Sequence, residues 1–141
     1  MKISRKADYA MRAAVYIARQ PRDKRNPINA IAESESIPRD FLAKILKELT
    51  RANILRSHQG VHGGYTLARA PKQINLLDVV EAMDGPLGLD LCVRGNDGCD
   101  RRHASHAAMS PFFTKLQAQA RTSFKAATLA KLAAKSGNGH H

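Results

Sequence analysis

Apolar residues recur at helical spacing through most of this chain and alternate with polar ones in one short region. Ala7, Ala10, Met11, Ala14, Val15, Ile17 and Ala18 fall near a period of 3.6 residues. They predict a first helix from Ser4 to Gln20, with Ser4 as its cap and Pro21 as its stop. A polar loop, PRDKRNP, follows and ends at Pro27. Asn29 is the expected cap of a short helix over 30–35. Ser36, Ile37 and Pro38 form a turn, and Pro38 suits the first position of the next helix, where a missing N–H costs nothing. That helix is expected to reach about Asn53. Phe41, Leu42, Ile45, Leu46 and Leu49 form one buried stripe, with Arg39, Asp40, Ala43, Lys44, Lys47 and Arg51 largely on the other side.

From Ile54 to Ala68 the pattern changes. ILRSHQGVHGGYTLA holds two short alternating runs around a turn built from Gly60, Gly63 and Gly64, which predicts a β-hairpin. After Pro71 the helical period returns over Leu76 to Met83, with Leu76, Val79, Val80 and Met83 as the apolar face, Asn75 as a cap and Gly85-Pro86 as the end. Residues 85–102 are expected to be irregular. Ser105 or Ser110 then opens a long helix reaching about Lys135, with a stripe of Met109, Phe112, Phe113, Leu116, Ala120, Phe124, Ala127 and Leu132. Such a helix is too long to pack fully on one small domain and is expected to cross into a second subunit.

Two short helices joined by a tight turn, the second amphipathic and basic outside, make a helix-turn-helix. Followed by a glycine-turned hairpin, they read as a winged one. The expected fold is therefore mostly α with a small β-hairpin wing. A winged helix-turn-helix unit spans 1–84, a loop 85–104 and a dimerisation helix 105–135. Residues 136–141, SGNGHH, read as a frayed tail or the remnant of a purification tag.

Charge sharpens this picture through its placement. The formal net charge is +11. Residues 1–58 carry +7, residues 59–72 carry +2, residues 73–100 carry −5 and residues 101–141 carry +7. An anionic partner follows, with double-stranded DNA ahead of a membrane because no strongly apolar helix face accompanies the basic one. A merely solvated basic surface is the plain alternative. No run of 18 apolar residues and no charged-then-apolar leader occurs, so a soluble cytoplasmic protein is the expectation. Hydrophobic residues make up 43% of the chain, enough for a core, while aromatics at 5% leave that core to Leu, Ile, Ala and Val.

On the second helix of the motif, the N-terminal half normally carries base contacts. Here that half holds Arg39, Asp40, Ala43 and Lys44, and Arg39 suits a bidentate contact to guanine. Lys44, Lys47 and Arg51 are better placed for phosphates. At the wing tip, His58, Gln59 and Gly60 face the minor groove or backbone, and glycine there permits close approach. Tyr65 is expected to pack beneath the hairpin. An enzyme finds little support. GVHGGY sits in a hairpin and not before a helix, and no Ser/His/Asp spacing suggests a nucleophile. A non-specific architectural module that binds nucleic acid remains a competing class.

The segment FLAKILKELTRANILRSHQGVHGGYTLA resembles the recognition helix and wing of the Rrf-two superfamily, the IscR/NsrR-like bacterial transcription regulators. KADYAMRAAVYIA resembles that family's first helix and INLLDVVEAMDG the helix after the wing. The resemblance runs from about residue 1 to 133. It implies a homodimeric regulator, often a repressor, on a near-palindromic operator. Many members bind iron–sulfur clusters and report iron–sulfur status, nitric oxide or redox stress.

Cys92 and Cys99 fall where the resemblance places the cluster-binding loop. Members with clusters usually supply three cysteines there, so this chain departs from the pattern. His103 and His106 lie close by, and Asp8 matches a position that supplies a carboxylate from the partner subunit in some members. Three readings stand. A [2Fe–2S] cluster is held by Cys92, Cys99, a histidine and Asp8, mixed Cys/His ligation being chemically sound. Zinc is held by Cys92, Cys99, His103 and His106, two thiolates and two imidazoles suiting a tetrahedral ion. Or the loop binds nothing and the cysteines serve as a thiol switch, or a protein partner supplies the signal.

Overall fold

A computed structural model describes residues 2–88 and 104–135. In chain order it contains α1 (Arg5–Arg19), α2 (Ile28–Glu35), α3 (Arg39–Arg51), β1 (Leu55–His58), β2 (Gly64–Leu67), α4 (Leu76–Asp84), α5 (Ala104–Ala126) and α6 (Leu129–Ala134). The tail over 136–141 lies outside the described residues, as does most of the expected loop.

Helix α1 is the hub. Ser4 caps it as expected, its Oγ accepting from the Ala7 N–H at 3.0 Å. Ala7, Ala10, Ala13, Ala14 and Ile17 are buried on its inner face. Small side chains at four of these positions let α2, α3, α4 and α6 approach closely. The backbone N–H of Ser4 also donates to Asp84 Oδ2 at 3.1 Å, tying the start of α1 to the end of α4.

Helix α2 begins two residues earlier than the expected range. Pro27, and not Asn29, occupies the cap position, its carbonyl accepting from Ala30 and Ile31. Asn29 is inside the first turn, where its side chain is directed elsewhere. The turn after α2 is made by Ser36 in the left-handed conformation, φ 54°, and anchored by buried Ile37. Pro38 also sits one residue outside its expected place. Its extended ψ of 129° makes it the cap of α3, and its carbonyl accepts from the Leu42 N–H at 2.9 Å.

Helix α3 ends at Arg51, two residues short of Asn53. Asn53 takes φ 61°, and the Ile54 N–H returns to the Leu49 carbonyl while the Asn53 N–H reaches Thr50. This pair of bonds is a Schellman closure, which stops the helix. Leu42, Ile45, Leu46 and Leu49 are buried as expected. Phe41 is not: it is 40% exposed and packs edge-on to Tyr9 with ring centroids 5.6 Å apart. One residue before Leu42, it lies about 100° around the helix, at the margin of the stripe.

The hairpin pairs Leu55 with Leu67, Arg56 with Thr66, Ser57 with Tyr65 and His58 with Gly64. Asn26, before α2, bridges to Tyr65 on the free edge of β2. After it, Asn75 and Asp78 form a capping box at the start of α4, with bonds of 2.9 and 3.2 Å. The buried face of α4 is Leu77, Val79 and Val80, while Leu76 and Met83 are only half-buried. The expected face was thus rotated toward Leu76. Leu77 instead joins Ala7, Val80 and Leu87 in a second cluster, covered by Ala120 and Phe124 of α5.

The expected long helix is two helices. Both Ser105 and Ser110 lie inside α5, and the chain breaks at Ala127 and Thr128. There the backbone pairs with residues 74–76: Leu76 N–H donates to Ala127 at 3.0 Å and Leu129 N–H to Ile74 at 2.8 Å. Thr128 then caps α6, and Leu129 is fully buried in the main core. Tertiary pairing, a threonine cap and one buried leucine break an alanine-rich helical run.

Candidate nucleic-acid interface and sensor loop

Burial of Leu42, Ile45, Leu46 and Leu49 leaves the opposite face of α3 to Arg39, Asp40, Lys44, Lys47 and Arg51, all exposed, with Ala43 half-buried at its edge. Asp40 in the first turn complements the helix dipole, and Arg51 does so in the last. Arg39 is braced. Its Nε donates to Asn29 Oδ1 at 2.7 Å, so the residue expected as a cap serves as a support for the α3 arginine. Among the described residues, Lys44, Lys47 and Arg51 form no ion pair.

The wing follows from its glycines. A Cβ on Gly64 would lie 2.6 Å from the Asn26 carbonyl carbon, and its φ is +150°. A Cβ on Gly63 would lie 2.4 Å from the His58 carbonyl oxygen. The paired glycines therefore allow Asn26 to lie against β2 and the turn to close. Asn26 is 1% exposed; its Nδ2 donates to the carbonyls of Lys24 and Tyr65, both at 3.0 Å. Nothing in the apolar pattern singled it out.

At the tip, Gln59 and Gly60 are exposed, Gly60 with φ +104°. His58 is half-buried, and its Nε2 sits 2.9 Å from Thr66 Oγ1 across the hairpin. Tyr65 is half-buried against the main core, as expected. Arg22, Arg25 and Arg56, which the sequence reading did not select, gather beside this hairpin. The outward phase of the β1 alternation was the signal available for Arg56.

Of the candidate metal ligands, Cys92, Cys99 and His103 lie outside the described residues. His106 is half-buried on α5. Asp8 is exposed on α1, and its Oδ2 is 3.4 Å from Arg12 Nη1. Among the described residues, no three His, Cys, Asp or Glu side chains converge. Along α5, Met109, Phe112 and Leu116 are exposed, at 51%, 63% and 41%.

The model of the Rrf2 family, described as an iron-dependent transcriptional regulator, matches residues 3–135. A Synechocystis sp. relative, named as a candidate HTH-type transcriptional regulator, is 40% identical over 87 residues. That match covers 62% of this chain and 59% of the relative, so the chain spans less than two thirds of that protein's length. The HTH-type transcriptional regulator NsrR of Halalkalibacterium halodurans is 28% identical, covering 83% of this chain and 85% of its own. Among solved structures, CymR, the global cysteine regulator of B. subtilis, superposes with a TM-score of 0.82 at 20% identity, covering 96% of this chain and 98% of that one. That likeness shows the shared fold.

Proposed function

Because this chain belongs to the Rrf2 family of transcriptional regulators, we propose that it is a sequence-specific DNA-binding repressor, working in the cytoplasm as a homodimer on a near-palindromic operator. The observation that carries the reading is the division of α3 into a buried aliphatic face and an exposed face bearing Arg39, Lys44, Lys47 and Arg51. A helix of this kind fits the major groove.

In this reading Arg39, held by Asn29, presents its guanidinium to a guanine edge, with Asp40 and Ala43 beside it. Lys44, Lys47 and Arg51 neutralise phosphates and set the register. Gln59 and Gly60 of the wing approach the adjacent minor groove, while His58 supports the tip through Thr66. A second copy covers Met109, Phe112 and Leu116 of α5, spacing two recognition helices along the operator.

The sensor belongs to Cys92 and Cys99. Two thiolates, the imidazole of His103 or His106 and the carboxylate of the partner subunit's Asp8 form a donor set of four, which fits a [2Fe–2S] cluster. When bound, such a cluster supplies a redox-sensitive charge. The chain's own part is to present Asp8 at an exposed position on α1, with Arg12 close by. Two imidazoles with the two thiolates fit zinc by the same donor chemistry. A second reading, a cluster-free thiol switch, draws on the presence of only two cysteines in the whole chain.

Anaerobic purification with metal analysis tests the sensor. Brown protein containing iron is expected. Colourless protein without iron removes the cluster, and zinc near one per subunit selects the zinc reading.

A further inference from the structure

A concentration of positive charge beside the wing has no role in the reading above. Strand alternation turns Leu55 and Leu67 inward and puts exposed Arg56 on the other face, where its cross-strand partner Thr66 is itself covered. His58, two residues on, shares that face. The loop between α1 and α2 closes its side. Arg22 Nη1 donates to the Leu67 carbonyl at 3.0 Å. The Asn26 N–H donates to the Tyr65 carbonyl at 3.0 Å, and the Tyr65 N–H returns to Asn26 at 2.9 Å. These bonds fix the loop backbone, and with it Arg25, against the hairpin.

Arg22, Arg25, Arg56 and His58 consequently line one open depression of about 410 Å³. Arg25 also borders a neighbouring depression with Val61 and His62, so the basic surface continues to the wing tip. Among the described residues, Asp23 is the one acidic side chain in either lining. Arg25 and Arg56 are exposed and, among the described residues, their side chains make no hydrogen bond or ion pair. Three guanidinium groups against one carboxylate leave positive charge that an anion would offset. Guanidinium forks match phosphate oxygens in geometry as well as charge.

We infer that this depression receives a backbone phosphate of duplex DNA running alongside the wing, a contact separate from those of α3 and the wing tip. The inference rests on the DNA-binding reading. A duplex fits better than a small anion because the depression is open and shares Arg25 with the surface leading to the tip, so that a continuous polyanion meets both.

The test is the doubly substituted full chain, Arg25→Ala with Arg56→Ala, titrated with a random-sequence duplex across a range of salt. Each lost phosphate contact lowers the slope of log affinity against log salt by about 0.9, so losing the single phosphate held by both arginines is expected to make the slope shallower by about 0.9. The melting temperature is expected to stay unchanged, both side chains being exposed. An unchanged slope, with Lys47→Ala still flattening it, overturns the inference and leaves the DNA reading standing. Absence of salt-dependent binding by the unsubstituted protein overturns both. If inorganic phosphate shifts the Arg25 and Arg56 Nε–H resonances and duplex DNA does not, the depression is a small-anion site and the inference fails.

Discussion

The Nε of Arg39 donates to Oδ1 of Asn29 at 2.7 Å, joining the first residue of α3 to the helix before it. One bond of this type costs Arg39 little of its reach, because the Nη edge of the fork remains for a second partner. It removes rotamer freedom from a long side chain before any ligand arrives, which lowers the entropy lost on binding. Arg39→Ala is expected to relax base preference, with a loss of about 1–3 kcal/mol of discrimination at one position. Asn29→Ala is expected to do the same more weakly. Equal losses on specific and random duplexes for Arg39→Ala would falsify base reading at that residue.

Lys47, exposed about two turns further along α3, is assigned a phosphate contact and not a base contact. Lys47→Ala is expected to weaken binding to all sequences alike and to flatten the salt slope by about 0.9. Titrations of one specific and one random duplex at several salt concentrations distinguish the two residues.

Gly64 is where the wing meets the rest of the domain. A Cβ there would press on the Asn26 backbone at 2.6 Å, in a conformation with φ +150°. Gly64→Ala is expected to cost about 1–3 kcal/mol of stability. It should also weaken DNA binding by displacing the wing. Urea unfolding measures the first, and an unaltered midpoint would contradict the assigned contact.

Leu129 and Leu116 separate stability from assembly. Leu129 is fully buried, so Leu129→Ala is expected to destabilise the fold by about 2–5 kcal/mol. Leu116 is 41% exposed, so Leu116→Ala should change folding stability by less than about 0.5 kcal/mol. In the proposed homodimer it should instead weaken self-association, as read by sedimentation. A Leu116→Ala protein with unchanged association would place the dimer contact elsewhere.

The two cysteines carry the sensor proposal. Cys92→Ser or Cys99→Ser is expected to abolish iron retention under anaerobic purification. Iron retained by both single variants would exclude these thiolates as ligands.

Much of this was legible from residue order because the signals are local. Ser4 and Asn75 announce their helices through side-chain caps. The aliphatic stripe of α3 and the glycine pair of the wing follow from period and sterics alone. The misreadings come from distant contacts. Asn29 has the chemistry of a cap, yet Pro27 takes that role and Asn29 turns to Arg39, ten residues on. Ala127 and Thr128 sit in an alanine-rich run, and their pairing with residues 74–76, the Thr128 cap and the burial of Leu129 break it. Arg25 and Arg56 are unremarkable surface arginines until Asn26 and Tyr65 bring their segments together.

The central claim is that α3 and the wing read DNA sequence. Its most direct test selects a preferred site from a pool of random duplexes, then compares affinity for that site and for random duplex at one salt concentration. A ratio of at least about 10³ is expected of a specific regulator. A ratio near unity across all selected sequences would contradict the account and leave an architectural nucleic-acid-binding protein in its place.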